Sequence, residues 1–342
     1  MAINSIFGYS RHELKDFVTQ MGLKSFVATQ LMEWVYHKNK TDFSEMTSLS
    51  KQNKERLAEV LSVSLFTDSQ SVPSSDALAT KLICTLGDGK KVECVVLKEK
   101  NYYTLCVSSQ VGCPVDCKFC VTGVAGFKRN LTPAEIVMQI VYARKMGYMI
   151  KNLVFMGMGE PLLNYDNVFK AIDILTAEWG YNMSKRNITV STSGFLANIN
   201  RLIDDQRYIN LAFSVGSADP QTRLKIMPLE KRNPILQVAR KLNQYLKLHN
   251  RQLTLEYTLL NNVNDTDYDI NALVNLSKYL NAKINLINLN PHHKIPFEPV
   301  TSKKMAKIKN KIKQARAKVT VRFKKGQDIA AACGQLGESI MK

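Results

Sequence analysis

No run of about 18 apolar residues occurs anywhere in the 342-residue chain, which excludes a membrane-spanning helix. The opening, MAINSIFGYSRHELKDF, lacks the apolar stretch of a secretion leader, so the expected compartment is the cytoplasm. Acidic residues are in short supply: 29 Asp and Glu stand against 47 Lys and Arg, a net charge of +18. Such a surplus opposes compactness and calls for a polyanionic partner. It is concentrated in PVTSKKMAKIKNKIKQARAKVTVRFKKGQ, residues 299–327, where eleven basic residues occur without one acid. No heptad repeat or amphipathic anchor points to a lipid surface. A nucleic acid is therefore the expected partner, a solvated helix face being the plainer alternative.

What is present changes character along the chain. The first ninety or so residues read as helices followed by a hairpin. Ser10 and Glu13 make a capping box opening SRHELKDFVTQMG, and SFVATQLMEWVYHK and SLSKQNKERLAEVLS follow as amphipathic helices. TKLICTL and KVECVVLKE form a hairpin that turns at Asp88-Gly89, and TDSQSVPSSDA before it reads as a loop. From about residue 100 strands alternate with helices: YYTLCVSS, KNLVFMG, NITVSTSG, INLAFSVG, LTLEYTLL and KINLINLN, with KVTVRF last. Thr132, Pro133 and Glu135 announce one of the helices by cap, proline and acid. Six strand-then-helix units imply parallel pairing with right-handed crossovers and are too few for a closed eight-stranded barrel. The expected fold is α/β: a partial, open (β/α)6 barrel over residues 99–342, with a C-terminal strand and a Cys333 loop. A small accessory domain of helices and hairpin occupies residues 1–98. Chemistry is expected at the strand C-termini.

The seven cysteines, Cys84, Cys94, Cys106, Cys113, Cys117, Cys120 and Cys333, are an odd number in a long chain and read as metal or redox chemistry. Three of them fall within eight positions in VGCPVDCKFCVTG, just after the first barrel strand. Three thiolates at this spacing suit an iron–sulfur cluster. A four-iron cluster held by three cysteines keeps one iron open to a small molecule bearing an amino and a carboxylate group. The alternative is zinc, which needs a fourth ligand. Only one C-x2-C pair exists, and His292 and His293 are the only histidine candidates.

Cys113-x3-Cys117-x2-Cys120 after the first strand of a partial barrel resembles the radical S-adenosylmethionine (SAM) superfamily. LCVSSQVGC, FMGMGEP, TVSTSG and DIAAACGQL, in that order, narrow the resemblance to the RlmN/Cfr family of radical SAM RNA methyltransferases, over nearly the whole chain. The resemblance implies a [4Fe-4S] cluster on Cys113, Cys117 and Cys120, with SAM as the fourth ligand and two SAM consumed per turnover. Gly159, Glu160, Ser191, Ser214, Val215, Gly216 and Asn290 match SAM-binding positions. By the same resemblance Cys333 is methylated by a first SAM, and a 5′-deoxyadenosyl radical from a second takes hydrogen from that methyl. The methylene radical adds to an adenine carbon. Cys106 then attacks Cys333 to release the product, leaving a disulfide, and Glu93 is the proton acceptor. Read without the resemblance, Cys106 and Cys333 are small buried hydrophobes and Glu93 an outward strand residue.

An adenine ring carbon is a poor nucleophile, so loading the methyl on sulfur first divides one hard step into easier ones. Reaching that carbon requires RNA whose base can be splayed out of its stack. Lys128-Arg129, Lys185-Arg186 and Lys231-Arg232 are candidate phosphate grips around the opening, and Trp34 and Tyr36 a further candidate contact. The implied substrate is 23S rRNA, with tRNA as a further candidate, and C2 is the favoured carbon. The alternatives are C8 methylation of the Cfr type and a non-catalytic RNA-binding protein with a structural metal. A low-potential flavodoxin or ferredoxin is the implied electron donor, and a monomer is expected. Two departures stand out: Gly216 replaces the family's usual histidine, and Val121 follows the third cysteine where a Ser or Ala is usual.

Overall fold

The alternation after residue 100 builds one side of a ten-stranded sheet. The computed structural model describes residues 4–249, 252–322 and 325–341. Its strands are β1 (Asp68–Pro73), β2 (Ala79–Thr85), β3 (Lys91–Lys98), β4 (Tyr103–Cys106) and β5 (Ile150–Phe155). They continue as β6 (Ile188–Thr192), β7 (Asn210–Ser214), β8 (Leu253–Leu259), β9 (Lys283–Asn288) and β10 (Val319–Val321). All ten lie side by side in chain order. β4 to β10 are parallel, and β1 to β4 are antiparallel. Each strand from β4 to β9 is followed by a helix that returns the chain: Pro133–Lys145, Tyr165–Thr176, Leu196–Asp204, Ile235–Leu248, Asp267–Tyr279 and Ser302–Gln314. β1 and β10 are the sheet's outer edges, so the barrel is open, as expected from its repeat count. Phe323, the end of the expected last strand, lies outside the described residues, as does Lys324 of the basic stretch.

Local signals explain the boundaries. Thr132 accepts from the Glu135 backbone N–H while Glu135 reaches back to the Thr132 N–H, with Pro133 at the first helical position. Ser10 and Glu13 form the same box before helix Arg11–Gln20. The stretch TDSQSVP, expected as a loop, is instead edge strand β1. Its side chains are polar and mostly exposed, which hid it from a hydrophobic pattern and suits an unpaired edge. The hairpin β2–β3 is hydrogen-bonded directly to β4, so the sheet runs unbroken past residue 98.

The N-terminal helices pack their own apolar side chains inward. Trp34 donates to the Ser48 hydroxyl at 2.7 Å and Tyr36 sits against Phe7, Trp179 and Tyr181. Both aromatics are buried, which makes them core and removes them as RNA contacts. A second, smaller apolar cluster, including Val115, Val121, Met227 and Leu289, forms the floor under the cysteine loop. No helix among the described residues is long and apolar enough to cross a membrane.

Candidate functional site

A short antiparallel ladder, Gln110–Gly112 with Phe127–Asn130, brackets the cysteine loop. It holds the loop against the C-terminal ends of the parallel strands. Cys113, Cys117 and Cys120 all face one chamber, together with Gly159, Glu160, Ser191, Ser214 and Gly216. A second chamber adjoins it, lined by Val95, Cys106, Met156, Asn290 and Arg322. Cys333 lies on the wall the two share, as do Cys120 and Arg322. The segment that carries Cys333 is remote in sequence from the cysteine loop, yet Val121 donates to Gly334 O at 2.8 Å and Asn290 Nδ2 to Cys333 O at 3.0 Å.

The donor set fits a cluster better than a single ion. With S–metal distances of about 2.3 Å, three thiolates on one zinc would stand roughly 4 Å apart. Among the described residues, the group whose ligand atoms all lie within 4.8 Å is His292, His293 and Glu338, and the three cysteines form no such group. That histidine pair is no metal site either. His292 Nδ1 accepts from the Lys294 N–H, which leaves the proton on Nε2, where it donates to Glu338 at 2.8 Å. Burial pushes all three cysteine thiols up from their usual range, so a cation is needed to hold them as thiolates.

The remaining residues fit an amino-acid nucleotide. Glu160 is buried, its carboxyl raised by that burial, and it accepts from Leu162 N at 3.1 Å and Ser193 N at 2.8 Å. A buried carboxylate without an opposing cation favours an ammonium group. Asn290 Oδ1 is a buried acceptor with no partner, but Asn290 lines the second chamber and not the one that Glu160 shares with the three cysteines. Ser191 and Ser214 hydroxyls lie 3.3 Å apart. Gly159 has φ +101°, and a Cβ there would meet Gln110 Cβ at 2.6 Å, so only glycine lets the backbone pass this close. These residues would hold a [4Fe-4S] cluster and SAM.

Several expected placements differ. Val215 lines neither chamber: it is buried, and its carbonyl accepts from Arg223 Nε. Glu93 also lines neither, and its carboxylate instead accepts backbone N–H groups of the C-terminal segment. All seven cysteines are free, so the implied disulfide between Cys106 and Cys333 is not formed in this state. Arg129 is held by Glu135 and Asp88, each contact 2.8 Å, which removes it as a phosphate grip. Lys185 and Arg186 immediately precede β6 and so lie at the end of the sheet opposite the chambers. A Cβ at Gly216 (φ +67°) would meet Met227 Sδ at 2.2 Å, so a histidine here would strain the backbone and require Met227 to move. Val121 is fully buried on the floor beside Met227.

Arg322, Glu256 and Ser193 were not anticipated. Glu256 is buried, accepts from Asn285 Nδ2 at 2.8 Å, and has its carboxyl raised by burial. Arg322 is buried beside Cys333, Glu256 and Cys106, and the negative forms of these neighbours push its guanidinium up from the usual range. An acid inside LTLEYTL and an arginine closing the last strand were the available signals: charged residues inside otherwise apolar strands.

Three thiols and a nucleotide cradle at the mouth of a partial parallel barrel define a radical SAM enzyme. Residues 107–273 match the Radical SAM superfamily, and residues 4–63 match the ribosomal RNA large subunit methyltransferase N-terminal domain. The chain is 40% identical to a probable dual-specificity RNA methyltransferase RlmN of Aquifex aeolicus, covering 97% of this chain and 96% of that protein. It is 39% identical to the dual-specificity RNA methyltransferase RlmN of Gluconobacter oxydans, over 97% of this chain and 84% of that protein. The crystal structure of a radical SAM methyltransferase from Sphaerobacter thermophilus superposes with a TM-score of 0.93 at 34% identity, covering 97% and 98% of the two chains. The chain belongs to the RlmN family of radical SAM RNA methyltransferases. The reading as a non-catalytic binding protein with a structural metal is thereby set aside.

Proposed function

We propose that this enzyme methylates a ring carbon of adenosine, C2 in preference to C8, in both 23S rRNA and tRNA. The observation that carries the reading is the position of Cys333, with the cluster loop on one side of it and Cys106 on the other. A [4Fe-4S] cluster bound by Cys113, Cys117 and Cys120 supplies, when reduced, the electron that splits SAM. Glu160 receives the SAM ammonium, Asn290 offers its free carbonyl oxygen, and Ser191, Ser214 and Gly216 shape the wall. Cys333 carries the methyl carbon as a thioether. The second chamber takes the extruded base, and Val95 and Met156 give it an apolar lining.

Release needs the Cys106 thiolate, whose sulfur bonds to that of Cys333 as the Cys333–carbon bond breaks, the carbon leaving with that bond's electron pair and taking a proton to become the methyl group. A dithiol reductant returns both to thiols. Burial pushes the Cys106 thiol up to about 12, and Arg322 opposes that rise. Glu93 is carried in this proposal as the proton acceptor of the reaction. Two SAM are used per turnover, and a low-potential flavodoxin or ferredoxin delivers the electron to a monomeric, cytoplasmic enzyme. Residues 1–98 form the accessory unit that assists RNA binding, and 99–342 the catalytic core.

The test is Cys333→Ala in anaerobically reconstituted protein with 23S rRNA and tRNA as separate substrates. Methylation of both falls to background while the cluster's absorption is retained, and mass spectrometry of wild-type product places the methyl on C2. Methylation that persists in the variant overturns the mechanism; a methyl on C8 overturns the preferred carbon.

A further inference from the structure

Glu93 is fully buried in β3, on the strand face that Val95 and Leu97 continue into the second chamber. A buried carboxylate is costly unless hydrogen bonds satisfy it. Here the bonds come from the chain's own C-terminal segment: Gly337 N donates to one oxygen at 3.1 Å and Ser339 N to the other at 3.0 Å. Those donors start the single 3-10 turn Glu338–Ile340, whose first N–H groups have no partner within the turn. The same segment is tied elsewhere. Thr122 donates to Leu336 O at 2.6 Å, Gln335 to Pro291 O at 3.1 Å, and His292 to Glu338 at 2.8 Å. Every tie on the cysteine-loop side comes from the turn that begins at Val121, directly after Cys120. Glu93 ties the segment to β3 beyond Leu336, while Asn290 Nδ2 holds the Cys333 carbonyl and Lys81 reaches the Ala330 carbonyl.

We propose that Glu93 is a positioning residue: its carboxylate anchors the Gly337–Ser339 turn and thereby fixes Cys333 on the wall between the two chambers. This rests on the reading of Cys333 as methyl carrier. Both carboxylate oxygens accept from backbone while the segment is seated, so the anchor acts before any proton transfer. Gln cannot replace it, because an amide offers one oxygen and turns an N–H₂ group toward the second N–H donor. Pro at position 339 removes one donor and leaves Glu93 intact.

The experiment compares wild type, Glu93→Gln, Ser339→Pro and the double variant, all reconstituted with the cluster. Hydrogen–deuterium exchange of residues 333–341 quickens on the order of tenfold in each single variant, as loss of a hydrogen bond to a charged group requires, while the parallel strands keep their protection. The double variant adds little to either. RNA methylation drops in each, with more 5′-deoxyadenosine formed per methyl transferred and no RNA bound covalently to Cys333. Two results overturn the proposal: wild-type exchange in Glu93→Gln together with RNA trapped on Cys333, which makes Glu93 a proton acceptor alone, or wild-type exchange and coupling in Ser339→Pro. Should Glu93→Gln not fold, Ser339→Pro decides. If wild-type Cys333 is found never to carry a methyl, the functional reading fails while the exchange data still judge the anchor.

Discussion

Arg322 sits where the two chambers meet, and its environment is lopsided: a thiol at Cys333, a thiol at Cys106 and the buried carboxyl of Glu256. Burial pushes the Cys106 thiol up, and the Arg322 guanidinium pulls the other way, because Coulombic attraction in such a poorly hydrated place is stronger than at the surface. With its thiol pushed up to about 12, Cys106 is almost wholly protonated at neutral pH. Its alkylation by a small thiol reagent should climb about tenfold per pH unit between 7 and 10, since the thiolate is the nucleophile. Arg322→Leu should slow that labelling at every pH in this window, because the force opposing the rise is gone. Equal rates in the two proteins would separate Arg322 from Cys106 chemistry. The raised thiol also gives the sign of its linkage: it stabilises the fold below the unfolded thiol's range, and that stabilisation is lost as pH rises through 12.

At the scale of elements, the loops after β6 and β7 are locked together by one buried ion pair. Arg223, with none of its side chain exposed, pairs with Glu230 and donates to the carbonyls of Val215 and Ser193. Glu230 in turn accepts from Ile235 N at the start of helix Ile235–Leu248. Arg223→Met leaves Glu230 buried without its cation, so about 3–5 kcal/mol of stability should be lost in chemical denaturation. A loss below about 1 kcal/mol would mean that water reaches Glu230. The chamber wall depends on the same lock, because Ser193 and Gly216 flank the two carbonyls it holds. Gly216 shows the same coupling from another side: Met227 fills the space a histidine would need.

For the whole molecule the governing quantity is the charge of +18. Helix Ser302–Gln314 buries Met305, Ile308 and Ile312 and turns its lysines outward, though Lys304 and Lys311 are paired with Asp265 and Asp267. Lys231 and Arg232 are exposed in the loop after β7, on the chamber side of the sheet, whereas Lys185 and Arg186 are exposed at the opposite end. RNA affinity should fall by about 10³ between 50 and 200 mM salt if some six phosphates are contacted. Reversing Lys231 and Arg232 to Glu should weaken binding and flatten the salt slope. Reversing Lys185 and Arg186 should do so much less, and equal losses in filter binding would show that binding does not centre on the chamber mouth.

Much of this was legible along the chain because it depends on near neighbours. Capping boxes at Ser10 and Thr132, the hairpin at Asp88-Gly89 and the strand–helix period follow from local backbone chemistry. Cys113, Cys117 and Cys120 advertise a cluster because close spacing itself is the signal. Edge strand β1 was missed because its stability lies in pairing with β2 rather than in an apolar face. Arg129 looked free because one of its two partners, Asp88, is distant in sequence and the other, Glu135, is brought to it only by the fold of the ladder that precedes helix Pro133–Lys145.

The amino-acid order alone therefore determined the repeat count, the open barrel, the close spacing of Cys113, Cys117 and Cys120 and the surplus of positive charge. Tertiary structure decided the rest: that Cys333 and Cys106 line one chamber with Arg322, that Glu256 lies beside that arginine, and that Glu93 accepts from Gly337 and Ser339. The physical reason is range. Hydrogen bonds between residues 93 and 337, and charges between 322 and 333 or 106, exist only once folding brings those positions together, and no periodicity or local propensity encodes them.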